Sequence, residues 1–589
     1  MKNAVAFADN DVAIIAWSFG QRPDGCMGFA VYRIDNKGVE KPLPSHAVFK
    51  GGTIKPGQTT EDYPVQKFYW KDVYARPIAE DTKNRKFRYK VVPLEGKPGA
   101  LKPMASLPFL VTNEVEIGPE VSPAVSAYFN RGLISTQHVS TALKNRPSKT
   151  ELLKQVADPK NQLRADLSGD MVEALTGFLD RAKTSGTIYA GLYELGDAEL
   201  IAGLKKLGKR LQIVLSNSVQ KNPETGEEAD ANRPARELLR KTAKTMVDRM
   251  MPSGHIGHNK FLVYANSSGT PKAVLLGSTN WTPTGLCTQT NNTLVIEDDA
   301  LAKRYLDYWN RLAADTKAAK GDPKKLQGAA LRTWDAGGKT LPLPEARSLQ
   351  SWFSPNTPKA RSKSKNEKRP PDMQVLSDRI ANAKHAILFL CFYPGTPSIA
   401  NWAGQAARAN KDLFVRGCVT NPSAAESFYY ELKGATPPKK VKGQKTRPME
   451  DPRVIAADAF TGSNIPEGWQ DEILSAGFAI IHDKILVIDP FAEDCLVVTG
   501  SHNLGHKASF DNDENLVIIE GNKKLAVAYT THVLDVYDHF SWRVQVNRKS
   551  KADSDYWLEK DPAVWLGRYF DEAGNIKNAQ LKFWLQATA

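Results

Sequence analysis

Two stretches of the chain carry one pattern in one order. "GHNKFLVYA" (257–265) places His258 and Lys260 at the head of an apolar run, and "HDKILVID" (482–489) does the same with His482 and Lys484 before ending on Asp489. Each is followed by G-S-x-N: Gly277, Ser278 and Asn280, then Gly500, Ser501 and Asn503. The histidines lie 224 residues apart and the two glycines 223. The flanks repeat as well. "GTIYAGLYELGDAELIAGLKKLGKRLQIVLSNSV" (186–219) tracks "HAILFLCFYPGTPSIANWAGQAARANKDLFVRGCV" (385–419), and "TNNTLVI" tracks "NDENLVI". Markers at nearly one offset inside matching flanks mean an internal duplication. The halves are expected at 131–335 and 345–589. Their texture alternates β-rich runs such as "QIVLSN" with helix-period runs such as "DMVEALTGFLDRAKT" (170–184) and "DAELIAGLKKLGKRL" (197–211). That alternation predicts an α/β fold, each half a sheet between helix layers.

Residues 1–125 read differently. "DVAIIAWSF", "GFAVYRID", "QKFYWKDV" and "KFRYKVVPL" are short runs separated by Gly, Pro and Asp turns. Strands at this spacing predict an all-β sandwich domain ahead of the duplicated halves. Trp17 on an early strand and Tyr89 on a later one resemble the fibronectin type III pattern.

A chain of 589 residues exceeds one core, so two to four domains are expected. The sequence has no apolar run long enough for a membrane span. "MKNAVAFADNDVAIIAWSF" is a poor signal peptide, so cytoplasmic residence is the default, with export needing no cleaved signal as the alternative. The five cysteines, Cys26, Cys287, Cys391, Cys418 and Cys495, are scattered and contain no C-x-x-C pair, which fits a reducing compartment rather than a disulfide framework or zinc site. The net charge of +14 is concentrated in "KARSKSKNEKR" (359–369) and "KGATPPKKVKGQKTR" (433–447). Such runs are either solvated loops or a collar that attracts an anionic substrate. The Pro/Lys/Ser-rich stretch at 355–371 reads as a flexible insertion.

On a strand, residues i and i+2 share a face, so His and Lys of each motif point together. Two halves joined face to face give one pocket with two imidazoles, two ammonium groups, two Asn and two Ser. Lysines and asparagines suit phosphoryl oxygens, one imidazole suits attack on phosphorus, and the other suits protonation of the leaving oxygen. This set resembles the HKD motif, H-x-K-x(4)-D followed by G-S-x-N, of the phospholipase D superfamily. The second copy matches fully; the first has Ala265 where the aspartate stands. The resemblance spans roughly 131–589. It implies two phospholipase D-like halves sharing one active site and a two-step reaction through a covalent phosphohistidine, with no metal and no cofactor. Catalytic roles carry over to His258, Lys260, Asn280, His482, Lys484 and Asn503. Ser278, Ser501 and His502 carry over as substrate contacts, and Asp489, Gly277 and Gly500 as structural positions.

The halves differ where Asn292 aligns with Glu514. In the family this position backs the catalytic imidazole. A carboxylate favours imidazolium, whereas an amide orients the ring without favouring the proton. The expectation is therefore Glu514 behind His482 as general acid and Asn292 behind His258 as nucleophile, a division resembling that of tyrosyl-DNA phosphodiesterases. His255 reads as a loop residue or part of the mouth, and Trp281 as core or stacking platform. Met246, Met250 and Met251 read as helix-face core, with contact to acyl chains as the alternative.

Three functions compete. A phospholipase D, with or without transfer to an alcohol, fits two motifs in one chain and an anionic membrane surface as partner. A metal-independent nuclease or DNA-end phosphodiesterase fits the basic runs, although these lack interleaved aromatics. An inert adhesion scaffold is disfavoured by two full sets of phosphate ligands. No obligate protein partner is implied, since a monomer holds a complete site.

Overall fold

A computed structural model describes residues 3–45, 47–49, 52–53, 55–132, 149–221, 228–362, 367–438, 449–457, 481–548 and 557–588. Most of the basic run 433–447 lies outside the described residues, as do 363–366 of the other run and of the expected flexible insertion. Two compact units are present. One comprises Met1–Pro119, Asp412–Phe414 and Val527–Ala589; the other comprises Glu120–Lys411 and Val415–Ala526.

The first unit carries antiparallel sheets. Asn3–Ala8, Ala13–Ser18 and Tyr69–Asp72 form one; Val115–Glu116, Lys86–Lys97, Gly28–Ile34 and Glu40–Pro42 form the path of another. The four runs expected as strands contain strands, each carrying β-branched or aromatic residues that a sheet face buries. A helix at Ala75–Thr82 joins two of them. Trp17 and Tyr89 are both fully buried in the core, with Phe29, Phe68 and Val91. The Tyr89 hydroxyl donates to Asp72, whose carboxylate also holds Arg33 at 2.5 Å.

That core contains residues from the far end of the chain. Trp565, Leu566, Tyr569, Phe570 and Leu581 belong to it, and Trp565 Nε1 donates to the Cys26 carbonyl at 2.9 Å. Residues 527–589, expected within the second half, therefore group with the N-terminal strands. The physical reason is aromatic burial: Trp565 packs within 6.0 Å of Phe29 and 5.8 Å of Phe68, ring centre to ring centre.

The second unit holds the duplication. Its first sheet runs Glu120–Ser122, Val125–Phe129, Asn292–Ile296, Pro271–Gly277, Lys260–Ala265, Thr187–Leu192, Leu211–Ser216, Thr245–Arg249. The second runs Lys339–Leu341, Ser348–Ser354, Glu514–Glu520, Leu496–Gly500, Lys484–Ile488, Ala386–Cys391, Phe414–Val419, Val454–Ala456. The eight positions correspond one for one. The expected start at 131 misses two strands, since Val125–Phe129 pairs antiparallel with Asn292–Ile296.

Helices cover the sheets where the sequence shows the 3.6-residue period. Met171–Asp180 and Ala198–Leu207 bury Leu175, Phe178, Leu179, Leu200 and Leu204. Asp197 caps the latter helix by accepting from the Leu200 amide at 3.1 Å. The motif strands are central and buried on both faces: Phe261, Leu262 and Val263 have no exposure, nor have Ile485, Leu486 and Val487. The methionines expected on a helix face instead lie on and after the edge strand Thr245–Arg249. Met246 is half-buried against the first core, and Met251 is buried.

Candidate active site

Each motif histidine sits two residues ahead of its central strand, and its backbone is clipped by the opposite half. The His258 amide donates to the Asp513 carbonyl at 2.9 Å, and the His482 amide donates to the Thr290 carbonyl at 3.1 Å. This reciprocal exchange brings the two imidazoles face to edge, 6.2 Å between ring centres. Both rings are 3% exposed.

The lysines follow the same two-fold logic. Lys260 donates to the His258 carbonyl at 2.9 Å and Lys484 to the His482 carbonyl at 2.5 Å. Each ammonium lies 5.1 Å from the centre of an aromatic ring, Tyr193 for Lys260 and Phe392 for Lys484. These rings come from equivalent positions, one residue beyond the strands Thr187–Leu192 and Ala386–Cys391, and also pack on His258 and His482 at 5.1 and 4.9 Å. Tyr193 and Phe392 were not read from the sequence; their matched places in the repeat were the available signal.

Backing of the histidines is crossed between halves. Nδ1 of His258 lies 2.8 Å from Glu514 Oε2 and 3.0 Å from the Ser501 carbonyl. Nδ1 of His482 lies 2.8 Å from Asn291 Oδ1. The expected pairing of Glu514 with His482 and Asn292 with His258 is thus corrected. Two packed halves place the end of each last central strand against the opposite histidine, so the intrachain neighbour is the wrong partner. Asn292 turns inward instead: its Oδ1 accepts from Ser278 and its Nδ2 donates to Thr499. Asn291, adjacent in "TNNTLVI", is the amide that backs an imidazole, and that imidazole is His482.

These contacts fix the tautomers. Carbonyl oxygens only accept, so Nδ1 of His258 carries the proton toward Ser501; the amide oxygen of Asn291 does the same for His482. Each Nε2 then holds a lone pair. Burial, reinforced by Lys260, Lys484 and the second imidazole, drives His258 well below its ordinary range, and burial with the two lysines does the same to His482. Burial also lowers Lys260 to about 7 and raises Glu514 to about 7. A phosphodiester anion brought into such a site is stabilised by, and favours, the protonated ammonium groups.

The G-S-x-N segments divide their labour. A Cβ on Gly277 would lie 2.2 Å from the Asn292 carbonyl oxygen, and one on Gly500 would lie 2.3 Å from that of Asn515. Ser278 and Ser501, expected as substrate contacts, are fully buried. Ser278 Oγ donates to Asn291 and Ser501 Oγ accepts from the Asn515 amide, so both brace the strand ends. His502, also expected to touch substrate, is 1% exposed; its Nδ1 accepts from the Leu504 amide and its Nε2 meets Ser509, which donates to Asp372. Asn280 donates to Glu194 at 2.6 Å, while the amide oxygens of Asn280 and Asn503 have no partner.

Asp489 accepts from three amides, those of Lys384, His385 and Ala386, at 2.8, 2.7 and 2.7 Å. It anchors the strand entry away from the imidazoles. In the first half Ala265 stands opposite Thr187, and the space is closed by Gly186, where a Cβ would meet the Ala265 carbonyl at 2.5 Å. His255 bonds Gln327 and the Asp511 carbonyl, and Trp281 is buried in the first core. Arg249, unremarked in the sequence, is wholly buried and holds Asp513, next to Glu514, together with Asp315. All five cysteines are free and buried. Among the described residues no cluster of His, Cys, Asp or Glu has the arrangement of a metal site, and no helix is long and apolar enough to cross a membrane.

The chain matches the family described as "Cardiolipin synthase, PLD-like domain" over residues 175–313 and 376–535, just over half its length. Solved structures with detectable likeness include the phosphatidylserine synthase of Haemophilus influenzae Rd KW20, at 13% identity over 64% of this chain and 88% of that one, TM-score 0.40. Yeast tyrosyl-DNA phosphodiesterase matches at 10% identity over 58% and 84%, TM-score 0.28. Nuc, a phospholipase D family member from Salmonella typhimurium, matches at 21% identity over 24% and 84%, TM-score 0.19. No curated protein matches.

Proposed function

The chain belongs to the phospholipase D-like domain family named for cardiolipin synthase, and from that premise we propose that it cleaves phosphodiesters through a covalent phosphohistidine. The observation that carries this reading is the pair of buried imidazoles 6.2 Å apart, each with a lysine ammonium bonded to its own carbonyl. A phosphoryl group between them is within reach of both.

His258 is the nucleophile in this reading. Its Nε2 lone pair attacks phosphorus, and the P–O bond to the leaving group breaks as His482, protonated in the presence of the substrate anion, gives its proton to the leaving oxygen. The phosphorylated ring is cationic, and Glu514 at Nδ1 offsets that charge. His482 then takes the proton of water or an alcohol, whose oxygen attacks phosphorus and breaks the N–P bond. Lys260, Lys484 and the Asn503 amide hold the non-bridging oxygens. The nucleophile assignment is that drawn from the sequence, but its reason has changed: the carboxylate supports the phosphohistidine rather than the acid.

We read the substrate as a glycerophospholipid whose head group is hydrolysed or exchanged, since both motifs share one chain. The second reading is a nuclease or DNA-end phosphodiesterase, favoured by the basic runs at 359–369 and 433–447. The N-terminal sheets we read as a fibronectin type III-like module, on the buried Trp17 and Tyr89.

The test is one assay in EDTA with His258→Ala beside the parent. Phosphatidylcholine and phosphatidylglycerol vesicles are scored for phosphatidic acid, and single- and double-stranded DNA and RNA for cleavage. Phosphatidic acid from the parent alone is the expected result. Cleaved nucleic acid with intact vesicles moves the assignment to the nuclease. Loss of all activity in EDTA, or a phosphoryl group trapped on His482, overturns the mechanism.

A further inference from the structure

The two-fold site has one departure that the chemistry above does not use. Glu194 lies one residue beyond Tyr193, whose ring packs on His258, and is half-buried. Its Oε2 accepts from the Asn280 amide at 2.6 Å and its Oε1 from the Ser218 hydroxyl at 3.3 Å. Its backbone is pinned: the Glu194 carbonyl accepts from the Trp281 amide at 3.1 Å, and the next amide, that of Leu195, donates to Asn232 at 2.9 Å. The matching position in the second half is Tyr393, 51% exposed, and no carboxylate occupies it. Among the described residues the amide oxygens of both motif asparagines have no partner, but the NH2 of Asn280, the end able to donate to a phosphoryl oxygen, already donates to the Glu194 carboxylate. Burial raises the Glu194 carboxyl, and Lys260 and Lys484 pull it back down, so its charge is felt by the same ammonium groups that face the phosphoryl group.

A carboxylate placed beside a motif asparagine is a poor neighbour for a phosphoryl anion alone. It is a good neighbour for a ligand that brings a cation next to its phosphate. We propose that Glu194 is a specificity residue, making the Asn280 side of the cleft selective for phosphate esters whose ester group carries an ammonium cation. This deepens, and rests on, the phosphodiesterase reading.

The test is calorimetric binding at neutral pH of phosphocholine and of methyl phosphate, monoesters that differ in the ammonium group. The proteins are the parent, Glu194→Gln and Glu194→Asp. Gln keeps an acceptor for Asn280 and removes the charge; Asp keeps the charge and serves as the second probe should the Gln variant fold poorly. The parent is expected to prefer phosphocholine by about tenfold, the coupling of a partly desolvated ion pair. Glu194→Gln should lose that preference, weakening phosphocholine and strengthening methyl phosphate, while Glu194→Asp retains part of it. Equal shifts for both ligands would show that Glu194 only braces Asn280 and would overturn the inference while leaving the phosphodiesterase reading standing. Binding of neither ligand to the parent would overturn that reading itself.

Discussion

Glu514 and Asn291 give two otherwise matched imidazoles different neighbours, and the difference predicts different consequences of mutation. Glu514→Gln removes the negative charge behind His258 but keeps an acceptor, so formation of the phosphohistidine should slow by about a hundredfold, the scale of a lost electrostatic or acid–base contribution. Rapid-quench measurement of the labelled intermediate checks this. Asn291→Ala loosens His482. With a p-nitrophenyl ester, whose leaving oxygen needs little protonation, the first step should survive and the intermediate should accumulate as a burst. The pH dependence follows from Lys260, lowered by burial to about 7. Below that pH its ammonium is present and attracts the anion; as pH rises through 7 in the free protein the charge is lost and anion affinity falls. Lys260→Arg keeps its charge, so the alkaline loss of inorganic phosphate binding, followed by calorimetry, should flatten.

At the scale of elements, the strand ends that carry the site depend on close backbone approach and on one carboxylate. The Cβ of Gly500→Ala would press on the Asn515 carbonyl at 2.3 Å, and the strand pair Leu496–Gly500 and Glu514–Glu520 has no room to part. The substitution should cost roughly 1–3 kcal/mol, read by urea unfolding, and should displace Ser501, whose carbonyl orients His258. Asp489→Ala leaves three amides at the entry of Ala386–Cys391 without their acceptor. About 2–4 kcal/mol of stability should be lost. The first half needs no such residue because Gly186 lets the chain close directly on Ala265.

At the scale of the whole molecule, distant segments complete each unit. Arg249 ends the edge strand of the first half and pairs with Asp513 of the second. Arg249→Met leaves Asp513 buried without its cation, and breaking such a pair costs about 3–5 kcal/mol; the unfolding transition should shift accordingly, with Glu514 disturbed alongside. In the other unit Trp565 fills the space beside Phe29 and Phe68. Trp565→Ala should destabilise that unit by about 3–5 kcal/mol, seen as a lower melting temperature.

The duplication, the central strands that begin at Lys260 and Lys484 just after His258 and His482, and the β-rich N-terminal run were all legible in the sequence. They rest on periodicity and repeat spacing, which local side-chain burial dictates. The glycines Gly277 and Gly500 were legible for the same local reason. What the sequence could not show was partnership across the chain. Glu514 aligns with Asn292 and so reads as the neighbour of its own histidine, yet the halves pack so that it serves His258, with Asn291 serving His482. Ser278, Ser501 and His502 belong to the motif in sequence but are spent inside the walls. Trp565 lies 536 residues along the chain from Phe29 and 497 from Phe68, the rings it packs on. Sequence by itself determined which residues carry the chemistry, because residue type and spacing are local. Tertiary structure alone decided which group backs which imidazole and where the C-terminal segment packs, because those contacts join residues that no local pattern relates.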